Sequence, residues 1–449
     1  GLYEAILGIA PPEWLSYGVV PISITLAIHY FPFAYLLVAG ALATIDSQME
    51  ESALISGAGK LTILRRITFP VVAPAFVAAI ILTFGKTIGQ FALPFLLGAP
   101  TQFHTVATMI YANLALGLDS MAYVLAVILI AMSLLSIWLS NRFIKKKSGR
   151  FETINGKGFR SREIALGNWR WFIFSVVSLF GFVVGILPII LLGVQSVMLI
   201  DGFYGLENLT SHFWIGKSNL NIAGGEPGVI YNKIILGATW NTLKLAFLSA
   251  VFASVIGIII AYIAVRRANN PLAVLLDQIA FIPFLFPTIA FGAMYLTLFA
   301  VPVGPIPALY GTFTLLVLIS VVSRLPYSVK TGITAVTQIG QELEEAAEVA
   351  GASWGRRFRK IIMPLASSGI MSGMMVSFVG VMRELSLIIL LITPATRVLM
   401  TAGFGYAEEG LTQLTNALVL IVALLTISGE LILWKIGKGR MARLREKQS

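Results

Sequence analysis

The stretch Glu344-Glu345-Ala346-Ala347-Glu348-Val349-Ala350-Gly351, which continues to Ile361-Ile362-Met363-Pro364, is a charged, helix-forming segment between very apolar segments. A second copy stands 294 residues earlier: Glu50-Glu51-Ser52-Ala53-Leu54-Ile55-Ser56-Gly57, continuing to Ile67-Thr68-Phe69-Pro70. Eight of the 21 residues from the first Glu to the Pro are identical, where chance gives about one. We name the copies the first island (residues 50–70) and the second island (residues 344–364) and interpret the chain as two repeated halves.

The composition indicates a membrane protein. Hydrophobic residues make up 57% of the chain and charged residues 12%, and the mean hydropathy is +0.88. Soluble domains carry about 25% charged residues. Apolar runs of about 20 residues, long enough to cross a bilayer as helices, recur throughout, whereas the alternating pattern of membrane strands is missing. We therefore predict an all-α polytopic membrane protein. The chain has no cysteine, which excludes disulfides and thiol chemistry.

Nine predicted spans organise the two halves. They are residues 15–43, 72–97, 120–143, 170–199, 238–265, 273–301, 307–329, 366–392 and 413–435. The predicted domains are a first transmembrane domain (1–144), a basic linker (145–168), a second transmembrane domain (169–436) and a basic tail (437–449). The first half is much shorter before its island than the second, and Gly1 is neither a methionine nor part of a signal peptide. We therefore expect the first domain to lack its N-terminal helices, roughly 125 residues.

The distribution of Lys and Arg predicts the orientation. If both islands, the linker and the tail are cytoplasmic, all but six of the 32 Lys and Arg lie on that side or at its boundary. The exceptions are Lys86, Lys217, Lys233, Lys244, Arg383 and Arg397. The net charge of +11 is then a topology signal and excludes nucleic acid as a partner. We expect a multi-pass protein of a bacterial or archaeal plasma (inner) membrane with a cytoplasmic C-terminus.

Each island predicts two short helices joined by a sharp turn. The paired glutamates favour a helix start, because acidic side chains are stabilised at the positive end of the helix dipole. Gly57 and Gly351, six residues after the second glutamate, permit a tight turn. A basic helix follows, and Pro70 and Pro364 mark the start of the next span. An ordinary amphipathic loop is the alternative for one copy, but the matched spacing of two copies argues against it.

The islands resemble the EAA motif of ATP-binding-cassette importer permeases. That motif reads Glu-Ala-Ala, three residues, Gly, nine residues, Ile, one residue, a large apolar residue and Pro; the second island fits it throughout, and the first has Ser52 at one Ala. The resemblance implies two MetI-like helical-bundle permease domains in one chain, with both islands docking into a P-loop ATPase subunit. It assigns the coupling role to Glu50, Glu51, Ala53, Gly57, Ile67, Pro70, Glu344, Glu345, Ala346, Ala347, Gly351, Ile361 and Pro364.

The chain itself carries no recognisable nucleotide site. Gly59-Lys60 is reminiscent of a P-loop, but Leu54 and Leu61 stand where a phosphate-binding loop has Gly and Ser or Thr. We therefore predict no catalytic residue and no cofactor in this chain. The family resemblance assigns ATP and Mg to two copies of a separate cytoplasmic ATPase. It also implies an extracytoplasmic solute-binding protein that delivers the substrate.

Charged residues inside spans are candidates for the translocation path, because they are costly there. Lys86 lies in the span after the first island, and the adjacent residues Arg383 and Glu384 lie in the span after the second island. Gln90 is the repeat counterpart of Glu384. We predict that these four residues line the path. The alternative is that Arg383 and Glu384 pair with other helices for assembly alone.

The segment Arg383-Glu384-Leu385-Ser386 resembles fused permeases of ferric-iron importers, although those have Pro where Ser386 stands. Fe(III) or another small solute is therefore the expected cargo; thiamine, polyamine and phosphonate importers share the architecture and remain alternatives. His29, His104 and His212 are scattered and predict no metal site. A long loop, residues 200–236, lies outside in this topology. Its Trp214, Asn219 and Asn221 either receive a binding protein or belong to a solvated connector anchored by Trp214.

Two other classes of protein compete with this interpretation. A secondary transporter with internal repeats, driven by an ion gradient, would need coupling carboxylates in the middle of the membrane and no ATPase partner. An integral membrane enzyme would need clustered His, Asp or Glu, which the sequence lacks. The two islands favour the importer permease over both.

Overall fold

The computed structural model describes Glu4 and residues 8–43, 45, 47–148 and 167–446, and this part of the chain is almost entirely helical. The predicted basic linker and the end of the basic tail lie mainly outside the described residues. The α-helices are α1 (Glu13–Ser16), α2 (Val19–Leu42), α3 (Ser47–Ile55), α4 (Lys60–Ile63), α5 (Phe69–Ile88), α6 (Ala92–Gly98), α7 (Val106–Ala115), α8 (Asp119–Ser148), α9 (Arg170–Gly181), α10 (Leu187–Gln195), α11 (His212–Ile215), α12 (Lys233–Arg266), α13 (Pro271–Leu285), α14 (Thr288–Phe299), α15 (Phe313–Thr337), α16 (Glu342–Val349), α17 (Trp354–Arg357), α18 (Met363–Leu365), α19 (Ser367–Met382), α20 (Leu399–Glu408) and α21 (Thr412–Glu446).

Seven helices in the described residues are long and apolar enough to cross a membrane. The number becomes nine if each of two bent helix pairs counts as one span. One pair is α13 and α14, bent by 108°; the other joins residues 354–365 to α19 and is bent by 71°. The predicted all-α polytopic fold is therefore confirmed.

Three predicted spans are broken or shortened in the structure, and the span predicted at 307–329 is shifted to Phe313–Thr337. The span at 273–301 is broken between α13 and α14, where Pro287 cannot donate a helical hydrogen bond. The span at 366–392 stops being helical at Met382, because the Glu384 carboxylate accepts a hydrogen bond from the Leu387 amide and stabilises a turn instead. The span at 72–97 is divided between α5, which ends at Ile88, and the short α6.

One compact unit comprises described residues between 11 and 188 and between 285 and 290. In it α2 packs on α5, α5 on α8, and α7 on α8. Phe91, Ile110 and Leu129 are fully buried in this unit. The other unit comprises the described residues up to residue 10, between 189 and 284 and from 291 onward. Its centre is formed by α12, α15 and α19, which all pack against one another.

Small residues allow the three central helices of that second unit to approach closely. A Cβ atom added to Gly257 of α12 would lie 2.6 Å from the Ser328 Cβ of α15. One added to Gly369 of α19 would lie 2.4 Å from the Ala335 Cβ of α15. Glycine and serine at such crossings are typical of membrane helix packing, which relies on van der Waals contact and interhelical hydrogen bonds. The Ser328 and Ser377 hydroxyls supply one such bond at 3.1 Å.

The repeat found in the sequence extends through the helices. The four-residue helices α4 and α17 begin 294 residues apart, as do α2 and α15, and α5 and α19 end 294 residues apart. Beyond them the offset becomes 293, since α7 pairs with α20 and α8 with α21. One residue has therefore been lost or gained between the islands and the last spans.

Both islands contain the same two backbone irregularities. Gly57 and Gly351 adopt left-handed φ values of +84° and +77°, as predicted for the turn between the short helices. A π-helical turn then precedes each proline: Leu64–Thr68 before Pro70, and Phe358–Ile362 before Pro364. Proline has no N–H to donate, and its ring crowds the carbonyl four residues back. The helix therefore widens before the proline, and its backbone hydrogen bonds span five residues instead of four.

Candidate functional site

The second island is held to the end of α12 by a buried ion pair. The Arg266 Nε donates to the Glu344 Oε1 at 2.6 Å, and the Tyr262 hydroxyl donates to the Glu344 Oε2 at 2.7 Å. The side chain of Glu344 is 7% exposed. Arg266 also donates to the carbonyl oxygen of Ile339, just before α16, at 2.9 Å. Both carboxylate oxygens of Glu344 are thus satisfied within this unit.

Aromatic rings extend this attachment to the basic helix. Tyr262 packs edge-on against Phe358, with ring centroids 5.5 Å apart, and Trp354 stacks on Phe358 at 5.3 Å. Such pairs add about 0.5–1.5 kcal/mol each beyond the area they bury. The acidic and basic parts of the second island therefore form one body with the end of α12.

The next residue of the motif has the opposite environment. Glu345 and Ala346 are exposed, and the Glu345 Oε1 accepts a hydrogen bond from Gln341 at 3.0 Å. A groove of about 580 Å³ runs beside these residues and is lined by Arg266, Arg267, Glu345, Glu348, Trp354 and Arg357. Ile361 and Pro364 are half-buried and belong to the junction with the following helices. The motif assigns the same coupling role to Glu344 and Glu345. In the structure Glu344 is a buried anchor, whereas Glu345 is exposed.

The first island uses a different anchor at the same position. Glu50 accepts a hydrogen bond from the Thr68 hydroxyl at 2.6 Å, which joins the beginning of the acidic helix to the end of the basic one. Ala53 is half-buried, Gly57 is exposed, and Ile67 and Pro70 are half-buried at the base of α5. In this copy the basic helix continues without a large bend into the span that ends at Ile88.

The acidic helix of each island ends in an apolar side chain that is nearly fully exposed. Ile55 is 88% exposed at the end of α3, and Val349 is 91% exposed at the end of α16. These two positions are repeat counterparts. Isolated surface apolar residues are common, but here an exposed apolar residue recurs at the same position of two repeated helices.

The residues predicted to line the path lie where α5 and α19 end. In the second half, Arg324 of α15 donates to the carbonyl oxygen of Gly380 at 3.1 Å and to the Glu384 Oε2 at 2.5 Å. Both side chains are largely buried, at 14% and 13% exposure. Arg383 is exposed. Arg324 and Glu384 are 60 residues apart in the chain, so only the fold reveals that they are partners.

The first half contains a neutral version of this contact. The Gln90 side-chain amide donates to the Tyr30 hydroxyl, and that hydroxyl donates to the carbonyl oxygen of Lys86 at 3.3 Å. Gln90 and Lys86 are half-buried. Their role in a translocation path stays a prediction.

The loop before α12 is tied to the second unit. Trp214 is half-buried against the hydrophobic cluster around Leu418, and its Nε1 donates to the Ser196 hydroxyl at 3.1 Å. Glu226 of this loop accepts a hydrogen bond from the Tyr406 hydroxyl at 3.1 Å. Burial raises the pKa of Tyr406 to about 12, and the nearby Glu226 carboxylate also raises it. Asn219 and Asn221 remain exposed. Trp214 is therefore an anchor of the loop.

Within the described residues, no group of three or more His, Asp or Glu could hold a metal ion.

Comparison with known proteins finds a family match in both halves. Residues 5–149 and 253–436 match the family described as the binding-protein-dependent transport system inner membrane component. The ferric transport system permease protein of Actinobacillus pleuropneumoniae is 26% identical over 461 residues, which is 99% of this chain and 62% of the relative. Haemophilus influenzae has a relative with a similar name, 27% identical over 87% of this chain and 59% of the relative. The chain thus spans about three fifths of the length of these relatives.

A solved bacterial ABC transporter, involved in the import of the acidic polysaccharide alginate, has 15% sequence identity with this chain. The match covers 60% of this chain and 95% of the chain in that structure, with a TM-score of 0.48.

Proposed function

Because the chain belongs to the family of binding-protein-dependent transport system inner membrane components, we propose that it is the permease subunit of an ATP-binding-cassette importer. In this role it moves a solute into the cytoplasm and hydrolyses no ATP itself. ATP and Mg are bound by two copies of a cytoplasmic P-loop ATPase, and an extracytoplasmic binding protein delivers the solute. The islands and the C-terminus lie on the cytoplasmic side.

The repeated exposed tip of the islands carries this proposal. Ile55 and Val349 present an apolar side chain at the same position of two repeated helices. Two equivalent tips fit two equivalent grooves, which is what two identical ATPase subunits offer. An apolar residue that inserts into a pocket and is surrounded by polar contacts is typical of interface hot spots. In the second island Glu345 and the groove beside it supply that polar surrounding.

The remaining coupling residues fall into two roles under this proposal. Glu345 and Ala346 contact the ATPase directly, together with the first-island counterpart Glu51. The others shape or attach the short helices: Glu50, Ala53, Gly57, Ile67, Pro70, Glu344, Ala347, Gly351, Ile361 and Pro364. The translocation path runs at the level of Lys86, Gln90, Arg383 and Glu384, where α5 and α19 end.

Ferric iron is the proposed cargo, on the basis of the Actinobacillus relative's name. Thiamine, polyamines and phosphonates are the other candidates. An ion-gradient transporter is not favoured, because nothing in that mechanism requires two repeated docking helices.

Reconstitution in proteoliposomes tests the function. The permease is combined with the ATPase and the binding protein encoded in neighbouring reading frames, and uptake of radiolabelled iron is measured with and without ATP. Uptake that requires all three proteins and ATP supports the proposal. Uptake driven by a proton or sodium gradient without the ATPase contradicts it.

Substitution of the island tips tests the docking surface. Ile55→Asp combined with Val349→Asp places two charges in the proposed apolar contacts, so we expect ATPase binding to weaken by about 100-fold or more. Leu220→Asp is the matched control, because Leu220 is 86% exposed on the loop before α12. Affinity is measured with the purified ATPase by biolayer interferometry in detergent. Equal affinity of the double variant and the control would place the ATPase elsewhere.

A further inference from the structure

Two polar pairs occupy equivalent positions in the two halves. Tyr30 and Arg324 are 294 residues apart, and so are Gln90 and Glu384. Even the backbone acceptors correspond: Tyr30 donates to the carbonyl oxygen of Lys86, and Arg324 to that of its counterpart Gly380. The same contact is thus built from neutral groups in the first half and from charged groups in the second.

Gly380 makes room for the larger donor of the second half. A Cβ atom at this residue would lie 2.6 Å from the Arg324 Nη1 and 2.8 Å from its Cζ. The guanidinium group therefore lies directly on the backbone of α19. In the first half a phenol approaches the helix instead, and the residue at the equivalent position is Lys86. The hydrogen-bond donor, the helix residue whose carbonyl it contacts and its side-chain partner therefore all differ between the two halves.

Glu384 is fully engaged within its own unit. Its Oε2 accepts from Arg324, and its Oε1 accepts from the Leu387 amide at 3.1 Å, which stabilises the turn after α19. A carboxylate with both oxygens bonded and its charge neutralised by a buried arginine is a poor ligand for a passing cation. Its geometry suits a group that fixes the backbone at residues 383–387.

Arg383 is the neighbouring residue with the opposite properties. It is exposed, and its side chain makes no hydrogen bond or ion pair with the described part of the chain. Its counterpart in the first half is Gly89, which has no side chain. A cation at membrane depth avoids lipid and faces a protein interior or a water-filled cavity. A guanidinium group binds carboxylate, phosphate and related oxygen anions through paired hydrogen bonds.

Resting on the proposed importer function, we infer that Arg383 contacts an anionic group of the cargo during translocation. Arg324 and Glu384 are positioning residues that hold Arg383 in place. The anionic group is either an oxyanion that is itself the cargo or an anionic ligand that travels with a metal ion. Tyr30 and Gln90 hold the equivalent segment of the first half by the same geometry without charge.

The chain supplies its own control for the positioning pair. Glu384→Gln leaves Arg324 buried without a counter-charge, whereas Arg324→Tyr combined with Glu384→Gln recreates the Tyr–Gln pair of the first half. We expect the single variant to lose about tenfold or more in cargo moved per ATP hydrolysed, and the double variant to return to within about threefold of wild type. Thermal unfolding in detergent is measured alongside and should fall in the single variant and recover in the double variant.

A merely structural pair would give a different result. Those Glu384→Gln molecules that remain folded would then move as much cargo per ATP as wild type, which would overturn the positioning role. A double variant that fails in both transport and thermal stability would show that the two pairs are not equivalent. The stability measurement decides this point even if no transport is observed.

Charge-conserving and charge-removing variants test Arg383. Arg383→Gln should lower the cargo moved per ATP by about tenfold or more while ATPase stimulation by the loaded binding protein persists, and Arg383→Lys should retain most of it. Arg397→Gln, which removes an arginine later in the same half, is the control and should leave the cargo moved per ATP unchanged. Radiolabelled ferric citrate and radiolabelled sulfate are both tested: an effect on the first indicates an anionic ligand carried with the metal, and an effect on the second indicates an oxyanion cargo.

The two proposals fail in distinguishable ways. If the wild-type assembly takes up neither cargo with ATP, the proposed cargo and the role of Arg383 are overturned, whereas uptake driven by an ion gradient without the ATPase overturns the importer function. If it transports a cargo and Arg383→Gln transports that cargo as efficiently as wild type, the function stands and the role of Arg383 is overturned.

Discussion

At the scale of single residues, two adjacent glutamates in the second island have different tasks. Glu344 is buried against Arg266 and Tyr262, whereas Glu345 is exposed beside a groove. Sequence spacing cannot separate them, because both stand in the first turn of the same helix. The direction in which each side chain points decides which one anchors the helix and which one remains available to a partner.

This difference predicts opposite effects of two alanine substitutions. Glu344→Ala leaves Arg266 buried without its partner, so the free energy of unfolding should fall by about 3–5 kcal/mol. Glu345→Ala should leave it unchanged and instead reduce ATPase coupling. Denaturant unfolding in detergent micelles, followed by circular dichroism, measures the first effect, and ATP-dependent uptake measures the second.

A compensated variant serves as the control for that prediction. Arg266→Met combined with Glu344→Met removes both charges, so most of the lost stability should return. Equal destabilisation by Glu344→Ala and Glu345→Ala would contradict the assignment of Glu344 as the anchor.

At the scale of elements, the second unit depends on the close crossing of α12 and α15. Gly257 lies against Ser328 so tightly that a Cβ atom would also come within 2.9 Å of the Ser328 carbonyl carbon. Backbone atoms cannot move aside as a flexible side chain can, so even one added methyl group must separate the helices.

Two glycines of α12 give a matched comparison. Gly257→Ala should destabilise the protein by about 1–3 kcal/mol through overpacking. Gly237→Ala, in the same helix but with no atom within 4 Å of the added Cβ, should be neutral or stabilising by up to about 1 kcal/mol, because alanine favours helix. Thermal unfolding of both variants checks the prediction. A loss at Gly237 as large as that at Gly257 would show that the close contact with Ser328 is not the cause.

At the scale of the whole molecule, the repeat predicts how many partners one chain binds. Two islands with equivalent exposed tips should hold two ATPase subunits. Ile55→Asp alone and Val349→Asp alone should each reduce the complex to one ATPase per chain, while wild type binds two. Native mass spectrometry of the purified complex measures the stoichiometry. Loss of both subunits in either single variant would mean that the two sites depend on each other.

Much of the fold could be predicted because its causes are local. Apolar length predicts membrane helices, glycine permits the left-handed turn at residues 57 and 351, and proline marks the start of the next helix. The repeat then extends these local rules to the second copy. The ends of the predicted spans were less accurate, since the break at residue 383 depends on a side-chain hydrogen bond to the backbone.

The sequence by itself determined the class of the protein, the repeat and the candidate residues, since these follow from composition, spacing and the conformational limits of glycine and proline. Only the tertiary structure decided which candidates are anchors and which remain exposed. Glu344 meets Arg266 from 78 residues away, and Glu384 meets Arg324 from 60. In a low-dielectric interior such pairing determines whether a charge is neutralised or available, and a partner that distant is fixed by helix packing and not by any local pattern.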